Sequence, residues 1–180
     1  MNVHICTPFR LDKDLGKAYN EAMQRIPDGD WACLIDYDVQ LLTPDAGAIL
    51  HRYASMYPKA GVLTCFTNRI SPLSHMQLID GTVNDNPDMK YHIGVAELQR
   101  ERLYDVSIIN RDISGFLMLV SKDVWRRHPF PELGKPLGVD TTWNRIIRSA
   151  GLKILRMDGL YVWHTYRLMN GIHDKKHLQV

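Results

Sequence analysis

The chain has no apolar run approaching the ~20 residues that a helix needs to cross a bilayer, so no transmembrane segment is expected. Its first ten residues, MNVHICTPFR, lack the apolar stretch of a signal peptide. Charge of one sign is missing too: 22 Lys and Arg stand against 20 Asp and Glu, a formal net charge of +2. That balance gives no reason to expect nucleic acid as a partner or attraction to a membrane surface. Cysteine is scarce. Cys6, Cys33 and Cys65 are odd in number, far apart and set in apolar runs. They read as reduced, buried thiols and not as a disulfide framework or a zinc site, so a cytoplasmic location is expected. Neither glycine-rich phosphate loop occurs, GxGxxG or GxxxxGKS/T. A bound phosphate would therefore need a metal or basic side chains to offset its charge. No Ser-His-Asp motif or nucleophile elbow stands out. Repeats, low-complexity tracts and linkers are also lacking, which predicts a single domain over residues 1–180.

What is present is an ordinary globular composition, with 45% hydrophobic and 23% charged residues in 180. Apolar, β-branched runs alternate with amphipathic helical patterns, which predicts an α/β sheet. Val3–Cys6 reads as a first strand. A helix follows, with Asp12 as its cap and Leu15, Ala18, Ala22 and Ile26 on one face. Trp31–Ile35 is apolar throughout, as a strand covered on both faces should be. Thr43-Pro44-Asp45 carries helix-start signals, with Ile49, Leu50, Tyr53 and Tyr57 as the buried stripe. Further strands are predicted at 62–66, 116–120, 152–155 and 160–163. Helices are predicted at about 89–104, at Lys122–Arg127 and after Asp140, where Trp143, Ile146, Ile147 and Ala150 share a face and Gly151 is the stop.

Three places carry chemistry. Asp36-Tyr37-Asp38 ends the strand at 31–35. Strand alternation would aim both acids the same way, at the strand end where open parallel sheets bind ligands. Two such acids repel, and a hard divalent ion would relieve them; the other reading is a turn. Gly138-Val139-Asp140 precedes a helix, so Asp140 is a helix cap or a general base. His164 lies just past an apolar strand. It is a hydrogen-bonded surface residue or, as a neutral imidazole, a third metal ligand. Arg167 nearby could meet a phosphate. Trp125 and Trp143 could offer faces to sugars, or pack in the core. His173 and His177 flank two lysines and read as a solvated tail.

In this order the segments resemble the GT-A glycosyltransferases, especially glycosyltransferase family 2, over most of the chain. Asp14-Leu15-Gly16-Lys17-Ala18-Tyr19-Asn20-Glu21-Ala22 is similar to that family's N-x-G-x-A-x-N helix. Residues 31–38 resemble its hydrophobic strand ending in Asp-x-Asp. Ile113-Ser114-Gly115-Phe116 resembles the strand beside the donor sugar. Gly138-Val139-Asp140 resembles its Gly-Glu-Asp segment, and Tyr161-Val162-Trp163-His164 its closing strand.

The resemblance implies a GT-A sheet, Rossmann-like, flanked by helices. It implies metal-dependent, inverting transfer of a sugar from a nucleoside diphosphate sugar (UDP- or GDP-sugar) to a hydroxyl of a glycan, lipid-linked or protein acceptor. Asp38 and His164 would hold manganese or magnesium, with Asp36 close to the ribose or the ion. Asp140 would be the base. Thr7, Pro8, Phe9 and Arg10 would bind the nucleotide, Lys17 and Arg167 the donor, and Ser114 and Gly115 would line the donor sugar. The chain departs from the family in lacking a second βα unit after the first strand, so the fold is expected to be shortened near the N-terminus. Val139 replaces the usual Glu, and residues 71–113 read as an acceptor-side insertion with some mobility. Residues 34–39 and 62–68 also resemble the nucleophile strand and the Thr-containing second motif of haloacid-dehalogenase-like phosphatases, which gives the alternative activity. A non-catalytic nucleotide-sugar-binding module is a third possibility. A sugar nucleotidyltransferase ranks last, because its N-terminal glycine-rich signature is missing.

Overall fold

The computed structural model describes residues 1–70 and 72–165. It is an α/β fold built on one mixed, open sheet, consistent with a Rossmann-like class. The strands are β1 (Val3–Cys6), β2 (Trp31–Ile35), β3 (Val39–Leu41), β4 (Ala60–Thr67), β5 (Val106–Ile108), β6 (Leu117–Ser121) and β7 (Lys153–His164). They lie in the order β1-β2-β6-β4-β7-β3, and β5 also pairs with β7. The helices are α1 (Leu15–Gln24), α2 (Ala46–Met56), α3 (Met89–Gln99), α4 (Lys122–Arg127) and α5 (Val139–Ser149). No helix of the described residues is long and apolar enough to cross a membrane.

Strand alternation sorts the core into two layers. On one face Cys33, Leu63, Cys65, Leu117 and Leu119 pack against Ile49, Leu50 and Tyr53 of α2. On the other, Ala32, Leu34, Val62, Met118 and Val120 meet Tyr19 and Met23 of α1 and Trp143 and Ile147 of α5. The three cysteines are free thiols, and Cys33 and Cys65 are buried.

Strand direction decides where a site can form. β1 runs parallel to β2, and β4 parallel to β7, while β6 is antiparallel to both β2 and β4. The carboxyl ends of β1, β2, β4 and β7 and the amino end of β6 therefore share one edge. Thr7, Asp36, Ser114-Gly115 and His164 all fall on that edge, the ligand-binding end of open α/β sheets.

The α1 motif has a packing explanation. Asp14, not Asp12, is the cap: its Oδ1 accepts from the Lys17 N–H at 3.2 Å. Asp12 instead forks with Arg10. A Cβ on Gly16 would stand 2.0 Å from the Pro131 carbonyl oxygen, so only glycine permits that approach. The Asn20 side chain holds Phe130 from both sides, donating to its carbonyl at 3.0 Å and accepting from its N–H at 3.0 Å. Together these contacts fix where the 130–138 loop crosses α1.

Other expectations needed correction. Gly138, with φ of 86°, is the α5 cap position in place of Asp140. Trp143 and Ile147 of α5 are buried, with Val139 and Asn144, but Ile146 and Ala150 face outward. Asp45 makes no cap bond to α2, because its carboxylate is gripped by Arg100 at 2.8 and 3.0 Å. The two predicted late strands are one, β7. Asp158-Gly159 looks like a turn, yet a register shift between Cys65 and Phe66 absorbs it as a bulge. There Asp158 is buried between Arg102 and Arg156. The helix predicted at 89–104 ends at Gln99, followed by a 3-10 turn. Within the segment expected to be an acceptor-side insertion, 71–113, β5 pairs with β7, and Ala96 of α3 packs on Phe66 and Tyr161.

Two outcomes follow. Gly16→Ala overpacks the α1 contact with Pro131 and is expected to destabilise by about 1–3 kcal/mol, read from the urea midpoint. Asp30 anchors β1, accepting from the Asn2 N–H at 2.7 Å and pairing with His4 at 2.9 Å, and these bonds hold its carboxyl down at about 2. The stability it adds is complete above the ordinary carboxyl range near 4 and is lost as pH falls towards 2. Asp30→Asn is therefore expected to flatten the acid limb of a stability–pH curve.

Candidate active site

A cavity of about 800 Å³ opens at the shared sheet edge. Its wall includes Thr7, Pro8, Phe9 and Arg10 after β1, Asp36 and Asp38 after β2, Ser114 and Gly115 before β6, Asp140 of α5 and His164 of β7. A smaller cavity of about 440 Å³, between Trp31, Lys59 and Arg127, holds none of these residues.

Asp36 and Asp38 do converge, but through a turn and not through strand alternation. β2 ends at Ile35, the Val39 N–H reaches back to the Asp36 carbonyl at 3.2 Å, and the chain enters β3. β3 pairs with the end of β7, Val39 opposite His164, which brings Asp38 beside the imidazole. The sequence pattern missed this three-residue strand. Tyr37 between them is 86% exposed and also borders the cavity. The nearest ligand atoms of Asp36, Asp38 and His164 all lie within 4.8 Å of one another.

His164 is set for coordination. Its ring Nδ1 lies 3.0 Å from the Arg69 carbonyl, which can only accept, so the hydrogen-bond network assigns the proton to Nδ1. Its backbone N–H donates to Asn68 Oδ1 at 2.8 Å. Nε2 then faces Asp38 Oδ1 at 3.2 Å. In a neutral ring that nitrogen is a lone pair against a carboxylate oxygen, a repulsive arrangement unless a proton or a cation lies between them. One imidazole and two carboxylates suit manganese or magnesium in both ligand type and spacing. Burial pushes the Asp36 carboxyl up to about 6; His164 opposes the rise, and Asp38 and Asp140 add to it.

Asp140 stands apart from this cluster in the same cavity. Its Oδ2 accepts from the Gly115 N–H at 2.9 Å and its Oδ1 from the Thr141 N–H at 2.8 Å. Burial still raises its carboxyl above the ordinary value, against those two bonds. The loop it touches is held on two further sides. Gln77, fully buried, accepts from the Ser114 N–H at 2.7 Å, donates to the Ser114 carbonyl at 3.1 Å and donates to Thr64 Oγ1 at 2.7 Å. Asn144 donates to the Ile113 carbonyl at 2.9 Å.

The other expected residues divide. Lys17 is not in the cavity wall; it sits 3.7 Å from Asp14, and Lys13, in a left-handed turn, lines the cavity in its place. Arg10 lines the cavity while paired with Asp12 and Glu21. Trp143 is core, donating to the His128 carbonyl at 2.7 Å, and Trp125 donates to Asn20 at 2.9 Å, so neither meets the cavity. Arg167, His173 and His177 lie outside the described residues. Tyr19, Gln77 and Asn144 were missed. The sequence offered only helical periodicity for Tyr19, and nothing marked the two buried amides. Burial and the nearby Asp36 and Asp140 push the Tyr19 phenol pKa well up, so it stays a hydroxyl.

No family model, curated protein or solved structure matches this chain. What the site does must be argued from its own geometry.

Gln77→Leu leaves the Ser114 N–H and the Thr64 hydroxyl without partners. It is expected to cost about 2 kcal/mol in chemical denaturation and to speed amide exchange at Ser114.

Proposed function

We propose that the cavity is the active site of a metal-dependent glycosyltransferase that moves a sugar from a nucleoside diphosphate sugar to an acceptor hydroxyl, with inversion. The observation that carries this is the pairing, in one cavity, of an Asp-Asp-His cluster with a separate buried carboxylate held by two backbone N–H groups. The resemblance to glycosyltransferase family 2 assigns the same residues to the same roles.

Asp38 and His164, with Asp36, would hold the ion. When bound, manganese or magnesium supplies positive charge against the departing diphosphate. The sequence has no phosphate loop to do so, and the cations among the cavity-lining residues described are Arg10 and Lys13. Thr7 to Arg10 border the nucleotide end. Asp140 accepts the proton of the acceptor hydroxyl as that oxygen attacks the anomeric carbon. A carboxyl raised by burial is the better base, and such help is worth about 10²–10⁴-fold. Its two backbone bonds aim it without a flexible loop. The Gln77 and Asn144 clamps keep Ser114 and Gly115 fixed beside it.

The phosphatase alternative needs a threonine of β4 at the cavity. Thr64 and Thr67 are buried and bonded to Gln77 and Asn68, and neither lines it. The non-catalytic alternative leaves Asp140 only the task of holding the Gly115 and Thr141 N–H groups.

The test is a thermal-shift panel of nucleoside diphosphate sugars with and without manganese, followed by transfer assays. A ligand at 100 times its dissociation constant stabilises by about 2.7 kcal/mol. Asp38→Ala is expected to abolish manganese-dependent donor binding. Asp140→Asn is expected to keep donor binding and to lose at least ~10²-fold in transfer. Donor affinity indifferent to both manganese and Asp38→Ala would refute the proposal.

A further inference from the structure

Tyr19 is the buried polar group in the cavity wall that neither the metal cluster nor the base accounts for. It is 2% exposed, and its ring packs on Phe130 with centroids 4.8 Å apart. Among the described residues its hydroxyl has no hydrogen-bond partner, and it belongs to the cavity wall. A Cβ on Gly115 would lie 3.2 Å from Tyr19 Oη and 3.2 Å from Asp140 Cβ, so the hydroxyl comes up beside the base at the Gly115 strand end. Gly115 leaves that space open.

We infer that Tyr19 is a specificity-determining residue whose hydroxyl bonds a hydroxyl of the transferred sugar. The inference rests on the glycosyltransferase reading. An in-line displacement puts the leaving group at the metal-binding acids and the attacking oxygen at Asp140, so the transferred ring must lie between them. Tyr19 lines that same cavity, at the Asp140 end. A nucleobase or ribose, bound at the Thr7–Arg10 end, would not meet it. Once a bound sugar shuts water out of this end of the cavity, a hydroxyl left without a partner is costly, so a sugar that presents the matching group is favoured over one that lacks it.

Tyr19→Phe keeps the ring and its contact with Phe130 and removes only the hydroxyl. The experiment is calorimetric titration, in manganese, of UDP-, GDP-, ADP-, CDP- and dTDP-hexoses and of the corresponding free diphosphates. The wild type is expected to bind one sugar nucleotide more tightly than its free diphosphate. Tyr19→Phe should lose about fivefold to tenfold for the sugar nucleotide and nothing for the free diphosphate. A donor deoxygenated at the bonded position should lose the same factor with the wild type and no more with the variant, a comparison that does not depend on how stable the variant is. Equal losses for sugar nucleotide and diphosphate, or no loss, would overturn the role of Tyr19 and leave the glycosyltransferase reading standing. A wild type that binds no sugar nucleotide would overturn both.

Discussion

Four aspartates line one cavity whose wall is mostly apolar, Asp14 at the α1 cap and Asp36, Asp38 and Asp140, and the crowding of the last three governs the carboxyl edge of the sheet. Asp36, Asp38 and Asp140 repel each other where water screens them poorly. Fixed backbone donors offset this repulsion at one of the three. Asp140 is held by the Gly115 and Thr141 N–H groups. Asp38 faces His164, whose ring is oriented by the Arg69 carbonyl. Asp36 has burial against it, which is why its carboxyl rises to about 6. Such a cluster in a cavity wall is a candidate site for something positively charged.

The surrounding fold is arranged to keep these groups still. Antiparallel β6 between β2 and β4 puts the start of one strand beside the ends of two others. The Ser114-Gly115 turn therefore meets Asp36 and Asp140 without a long loop. Gln77, Asn144 and Asp140 then take up the polar backbone of residues 113–115 from three directions. On the opposite wall, Gly16 and Asn20 of α1 fix the 130–138 loop that leads into Gly138 and α5. Gly16 and Asn20 of the N-x-G-x-A-x-N-like segment thus face protein, while Asp14, Ala18 and Tyr19 of the same segment line the cavity.

This explains which parts of the molecule were legible in the sequence. β1, β2 and α4 were read to the residue, because apolar runs and a Ser cap are local signals. The acids, the base and the histidine were legible as residue types next to strand ends and a helix start. How they meet was not. The Asp36–Asp38 convergence depends on β3, three residues long, which forms only because β7 lies alongside it. The unity of β7 depends on a bulge against β4. Lys17 was drawn to the donor by the resemblance, yet Asp14 holds it, and a left-handed turn presents Lys13 instead. Gln77 and Asn144 gave no signal, since a buried amide clamp is defined only by partners distant in the chain.

Tyr19 joins the two halves of the site. It belongs to the scaffold helix by its ring and to the cavity by its hydroxyl. Of its neighbours in the motif, Asn20 clamps Phe130, while Ala18 is buried and also lines the cavity. A change of side chain at residue 19 alters the cavity and leaves the clamp on the 130–138 loop intact. Phe at 19 would preserve the contact with Phe130, and smaller residues would open a void against it. On the glycosyltransferase reading proposed above, a hydroxyl there lies between the cluster assigned to the leaving group and the carboxylate assigned to the attacking oxygen, and can discriminate among sugars without touching either step of charge handling. Selectivity then falls to the wall between the two ends of the displacement.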